Sequence, residues 1–197
     1  AALNIHDEVP RRAVQRLKER EHRGYHYEAA DASFELLIRR ESGLYEPLFT
    51  LESFRVVTEK RADGRVETEA TIKLWVGGNR YIRTAEGRGP VNALDRALRD
   101  AISEQHPELA EIELTNFKVR ILDEDKGTEA VTRVLLDSSD GHDSWGSIGV
   151  SDNVIEASWE ALVDSLEYAF QPRGGSPAPG PGAAGVEGAG TSASGGG

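Results

Sequence analysis

The chain has 197 residues, 38% of them hydrophobic, with a formal net charge of -11 and no cysteine. That is enough apolar material for an ordinary core in one or two domains, and the acidic balance argues against nucleic acid or an anionic membrane as partner, since both recruit clustered Lys and Arg. The missing cysteines exclude a disulfide framework and thiolate chemistry and suit a reducing, cytoplasmic setting, and no apolar run approaches the roughly 20 residues that span a bilayer.

In chain order, Ala1-Ala2-Leu3-Asn4 begins without Met and runs almost at once into helical text, as a cut inside a larger protein would. From Asp7 to about Glu41 the spacing predicts two helices. Val9, Ala13, Val14 and Leu17 recur at helical intervals, Pro10 is acceptable in a first turn, and Gly24 follows a charged stretch as a stop. A second helix over Glu28 to Arg40 carries the stripe Ala29, Ala32, Ser33, Leu36 and Leu37, with acids early and Arg39-Arg40 late, as the helix dipole favours. His22 and His26 are four apart, the interval of paired metal ligands, but Gly24 breaks the helix between them and no third ligand is evident.

The middle of the chain reads twice. Phe54-Arg55-Val56 returns 63 residues later as Phe117-Lys118-Val119. The series Gly89, Ala93, Ala97, Leu98, Asp100 and Ile102 returns 64 residues later as Asn153, Ala157, Ala161, Leu162, Asp164 and Leu166. A near-constant offset points to a duplicated supersecondary unit, and a seam between paired units is a favoured place for a ligand or partner. In the first copy, alternation over Phe54 to Glu59, a turn at Asp63-Gly64, alternation over Ala70 to Val76, a turn at Gly77-Gly78 and a strand Asn79 to Ala85 lead into a helix bearing Val91, Leu94, Leu98, Ala101 and Ile102. The second copy repeats this with strands Glu113 to Leu122, Glu129 to Asp137 and Trp145 to Val150, turns at Asp125-Lys126-Gly127 and Asp140-Gly141, and a helix from Val154 to about Tyr168. Each unit is strand, strand, strand, helix.

The two helix entrances match in mechanism. Gly89 takes the N-cap slot before Pro90, and Asn153 takes the same slot with Glu156 three residues on, a variant capping box. Gly87 and Gly89 put no side chain between a ligand and the backbone, and the free N–H groups of a first turn favour a carboxylate; a plain tight turn explains the same glycines. No nucleophile elbow, phosphate loop, paired metal-ligating histidines or cysteine nucleophile is present. His106 and His142 read as turn residues, and Asp123-Glu124-Asp125, with Lys126 next to it, as a solvated turn. Trp75, Trp145 and Trp159 read as core or interface packing. The glycine-, proline-, alanine- and serine-rich segment 171–197 reads as a disordered tail.

These residues carry a family resemblance over about Asp7 to Phe170. Leu17-Lys18-Glu19, Gly24-Tyr25, the run Glu28 to Leu37, the loop Ala85-Glu86-Gly87-Arg88-Gly89-Pro90-Val91-Asn92-Ala93-Leu94, Lys118-Val119-Arg120 and the run Trp145 to Leu162 resemble the C-terminal part of the citramalate synthases, relatives of 2-isopropylmalate synthase. The resemblance implies an α+β fold: a small helical linker subdomain (1–46), a duplicated βββα regulatory and dimerisation domain (47–170, repeats about 49–106 and 112–170) and the tail. It further implies an N-terminal metal-dependent barrel that condenses acetyl-CoA with pyruvate or another 2-oxo acid. The barrel's divalent metal and catalytic residues have no counterpart here, so this chain taken alone is expected to be inactive.

The same resemblance implies a homodimer that binds isoleucine or leucine near its interface as feedback inhibitor. Gly87, Gly89, Asn92 and Ala93 match the family's glycine loop, and Val150, Ser151 and Asp152 its second loop. An effector's carboxylate is then expected at a helix start, its ammonium at carbonyl groups or Asp152, and its side chain against Pro90, Val91, Ala93, Val134, Val150 and Ile155. On this reading the two copies are halves of one site. Two other readings stand beside it: a purely structural dimerisation domain, and an RNA-binding module, which the acidic charge disfavours.

Overall fold

The computed structural model describes residues 5–171; the tail from residue 172 onward and Ala1–Asn4, with the readings made of them, lie outside the described residues. The helical segment comprises α1 (Ile5–His22) and α2 (Asp31–Ser42), joined by a 3-10 turn over Tyr27–Ala29. Both helices stop at glycines in the left-handed region, Gly24 at φ 100° after α1 and Gly43 at φ 70° after α2. The second helix starts three residues later than the sequence suggests, because the Asp31 carboxylate accepts the Gly146 N–H at 2.7 Å and anchors the helix start there. Ala30 rather than Ala29 therefore faces inward, while Ala32, Ser33, Leu36 and Leu37 are buried as the stripe predicts. Val14, read as part of the first stripe, is half exposed.

The repeats follow as β1 (Thr50–Lys60), β2 (Val66–Val76), β3 (Asn79–Gly87) and α3 (Pro90–Ile102), then β4 (Glu113–Ile121), β5 (Thr132–Ser139), β6 (Ser144–Ser151) and α4 (Val154–Phe170). Each repeat is a three-stranded antiparallel sheet with its second strand in the middle. The duplication extends to irregularities. The β1–β2 register slips between Leu51 and Ser53, and the β4–β5 register slips between Leu114 and Asn116, 63 residues further on. Past that bulge, Phe54 faces Ile72 and Phe117 faces Leu136.

Alternation places Ala70, Ile72, Leu74 and Val76 on one side of β2 and Val134, Leu136 and Ser138 on the same side of β5, all buried under the helices. The α3 side chains Leu94, Leu98 and Ile102 and the α4 side chains Leu162 and Leu166 complete one core shared by both repeats. Trp159 of α4 ties them together, its ring 5.2 Å from Phe54 and 6.0 Å from Phe49 in the first repeat. Trp145 is also buried, whereas Trp75 stands 45% exposed on the outer face of the first sheet. The outer face of the second sheet is covered instead by the helical segment: Tyr25, Tyr27 and Ala30 pack on Leu135, Ile148 and Val150. No helix among the described residues is long and apolar enough to cross a membrane.

Candidate functional site

The two helix entrances differ in what satisfies their first turns. At α4 the Asn153 side-chain oxygen accepts from the N–H groups of Ile155 at 2.9 Å and Glu156 at 3.4 Å, so the end is closed. At α3 no side chain caps the first turn; Pro90 has no N–H to satisfy, and Asn92 accepts instead from the Arg88 N–H at 3.1 Å, folding the loop back on itself. Donors at the start of α3 are therefore open to an anion in a way that those of α4 are not.

The two loop glycines also separate. A Cβ at Gly87 would lie 2.4 Å from the Ala93 nitrogen, so glycine is required there for β3 to pass close to α3. Gly89 has extended backbone (φ -174°, ψ 173°) and nothing within 4 Å of a built Cβ. The fold gives no reason for glycine at 89, which leaves unobstructed approach from outside as its distinctive property.

The remaining expected residues occupy three environments. Ala93 and Val134 have no exposed surface and lie between sheet and helix, so neither side chain is open to a ligand in this chain. Val150 turns to the opposite face and packs against the helical segment. Pro90, Val91 and Ile155 are half-buried at the helix entrances, with Val91 and Ile155 packed on the core. In the second loop the Ser151 hydroxyl donates to Asp152 at 3.2 Å and accepts from the Asn153 N–H at 3.1 Å. The two loops border separate surface cavities: Gly87 one with Arg55, Val57, Glu69 and Glu86, Asp152 and Asn153 another with Thr128, Glu129 and Val154. Among the described residues no three or more His, Asp or Glu side chains converge as a metal site would require; His22 bonds the Lys18 carbonyl and His26 faces Glu28.

Sequence reading missed a second constellation. Glu160, Asp164 and Glu167 lie four and three residues apart on one face of α4; the first two hold the helical segment and the third the stretch between α2 and β1. Glu160 takes Arg20 at 3.1 Å and the Tyr25 hydroxyl at 2.5 Å; Asp164 takes Arg40 at 2.8 Å. Glu167 accepts the Leu48 N–H at 3.3 Å, and Gln171, one turn on, exchanges bonds with the Glu46 backbone. Burial, partly offset by Tyr45, Arg40 and the Leu48 N–H, pushes the Glu167 carboxyl up to about 7. The Tyr25 hydroxyl is likewise raised, chiefly by burial and then by Glu160. Beside this row, the open edge of β6 is closed by side chains: Asp31 takes the Gly146 N–H, Ser33 the Ile148 N–H and Glu160 the Val150 N–H. The usable signal was the 160/164/167 spacing set against Arg20 and Arg40.

The structure is a duplicated βββα module that shares one core, with two helices clamped to its second half. The chain belongs to the family described as the LeuA allosteric (dimerisation) domain, which it matches over residues 28–170. It is 53% identical over 172 residues to the (R)-citramalate synthase of Streptomyces coelicolor, covering 87% of this chain and 32% of that protein. Against the (R)-citramalate synthase of Aquifex aeolicus the identity is 49%, covering 80% of this chain and 30% of the relative. A 2-isopropylmalate synthase of Acidimicrobium ferrooxidans is 32% identical, covering 74% of this chain and 26% of the relative. The chain thus spans about a third of the length of the curated relatives it matches.

Proposed function

We propose that this chain is the linker and the dimerising, branched-chain amino-acid-sensing portion of an acetyl-CoA-dependent citramalate synthase. In this reading isoleucine or leucine binds here and inhibits the condensation of acetyl-CoA with pyruvate, carried out by a metal-dependent barrel of the same protein. The family and the citramalate synthase relatives support the parent activity. The observation that carries the sensing half is the uncapped start of α3 behind Gly89, where an α-carboxylate meets free N–H groups with no side chain in its path. Half-buried Pro90 and Val91 offer the adjoining apolar surface. The α4 rod runs from the second loop to the acid row, so a change at Asp152 reaches the linker through one rigid element. That coupling is allosteric if the two states differ in effector affinity.

Calorimetric titration of the purified chain with isoleucine and with leucine tests the reading. Saturable heat from one of them is expected, and absence of heat from both at millimolar concentration overturns it. Two other readings have support of their own. The Acidimicrobium match keeps a 2-isopropylmalate synthase as the alternative parent. The separate cavities of the two loops favour a structural dimerisation domain, which an intact dimer indifferent to both amino acids would indicate.

A further inference from the structure

The outer face of the second sheet carries a pair of cations without a counter-ion. Arg120 of β4 and Arg133 of β5 stand directly opposite each other in the strand register. Such neighbours project to one face with Cβ atoms about 5 Å apart, and like charges placed there repel. Lys118, two residues before Arg120, lies on that face as well. Lys118 and Arg120 are exposed and meet no carboxylate among the described residues. Arg133 is half-buried and makes one bond, from Nε to the Gly24 carbonyl at 2.6 Å, which leaves its terminal nitrogens unbonded.

Other arginines are treated differently by the fold. Arg20, Arg40 and Arg80 bond the carboxylates of Glu160, Asp164 and Glu52, and each guanidinium holds its proton more tightly than usual. The Arg133 guanidinium moves the other way, held below its ordinary value by burial and then by Arg120. With 34 Asp and Glu against 23 Lys and Arg, carboxylates are plentiful in this chain, yet among the described residues none neutralises this trio. The first repeat has no such pair, since Val57 faces Glu69 at the twin positions.

The location ties the trio to the helical segment. Gly24 ends α1, and a Cβ there would run into the Leu122 side chain beside Val150, so the end of α1 lies on this same face. What completes the trio is an anion small enough to meet both guanidinium groups at once. A tetrahedral dianion presents oxygen pairs that match the planar N–H edges of arginine. Stems about 5 Å apart suit one compact group better than an extended dicarboxylate. We infer that Arg120 and Arg133, with Lys118 beside them, form a phosphate-binding site on the outer face of the second sheet, against the end of α1. Its ligand is a phosphate group, free or at the end of a larger metabolite. The site is separate from the α3 entrance and independent of the amino-acid reading.

Calorimetry and thermal melts of the whole chain at constant ionic strength test it, comparing inorganic phosphate, glycerol phosphate, succinate and chloride. Phosphate is expected to give saturable heat and a higher melting temperature than chloride. Tighter binding of glycerol phosphate assigns the site to the phosphate end of a metabolite, weaker binding to free phosphate. Arg120→Gln is expected to melt higher than wild type in chloride, because the repulsion is relieved, and to weaken phosphate binding about tenfold or more. Arg133→Gln weakens it similarly, and the exposed Arg120 variant covers the case where loss of the Gly24 bond prevents folding. Lys118→Gln gives a smaller loss, and Arg55→Gln, at the twin position of the first sheet, gives none. No phosphate-specific effect, an equal effect of succinate, or an undiminished response in Arg120→Gln overturns the inference. Heat from isoleucine or leucine in that event leaves the proposed function standing.

Discussion

Helices α3 and α4 hold the same place in their repeats, and the residues 64 apart show how differently each is used. Arg96 and Asp100 of α3 and Ser103 at its C-terminal cap are exposed to solvent. Their counterparts Glu160 and Asp164 grip the helical segment, and Glu167 the Leu48 N–H that follows it. Asp95, bonded to Arg99, whose guanidinium holds the Leu109 and Ile112 carbonyls, stands where α4 has Trp159. A duplicated unit can thus keep its backbone while one copy becomes the anchor and the other keeps an open entrance. The capped start of α4 goes with the anchoring copy and the uncapped start of α3 with the free one.

The close approach of helix to sheet gives the largest test of this contrast. A Cβ at Gly149 would lie 1.9 Å from the Ala157 carbonyl oxygen, whereas its twin Ala85 already carries a methyl group. Gly149→Ala is expected to cost about 3 kcal/mol by urea unfolding, and Ala85→Gly at most about 1 kcal/mol; similar costs would break the contrast. Next is Asp164→Ala, which strands Arg40 and should cost about 3 kcal/mol, against about 0.5 kcal/mol or less for exposed Asp100→Ala.

Glu167 supplies a pH signature. The native state holds this proton more tightly than the unfolded chain does, so the contribution is complete below the ordinary carboxylate value of 4.5 and is lost as pH rises to about 7. Thermal melts from pH 5 to 8 should show a decline that Glu167→Gln flattens; an unchanged profile in the variant would assign the decline to other groups. At the entrances, Asn153→Ala should cost about 1 kcal/mol by removing a cap. Gly89→Ala should change stability by no more than about 0.5 kcal/mol while weakening effector binding at least several-fold in the calorimeter.

Strands and helices were legible because alternation, paired turns and the internal repeat all act locally. Gly77-Gly78, both at positive φ, closes β2 onto β3 where the sequence placed the turn. Both helix entrances began at their expected caps. The start of α2 was less legible, since Glu28-Ala29-Ala30 favours a helix and the deciding bond reaches from Asp31 to a strand 115 residues away. The acid row escaped because three carboxylates on a helix read as a solvated face until a partner is known. The exposure of Phe117 and Val119 escaped for the converse reason: Phe-x-Val reads alike in β1 and β4, whereas Trp159 packs on Phe54 alone of the two phenylalanines. Of the residues expected to wall a site, Val134 and Val150 lie on opposite faces of their sheet, which alternation within each strand does not reveal until the two strands are paired.

The side chains that close the β6 edge bear on how such a protein could be taken apart. Cutting at residue 46 would remove Asp31 and Ser33, leaving the Gly146 and Ile148 N–H groups without their acceptors along a strand edge. An edge in that state templates pairing with other chains. Transfer of the repeats to another protein should therefore carry α1 and α2 with them, since the smallest unit that can be moved intact begins before the boundary that composition suggests.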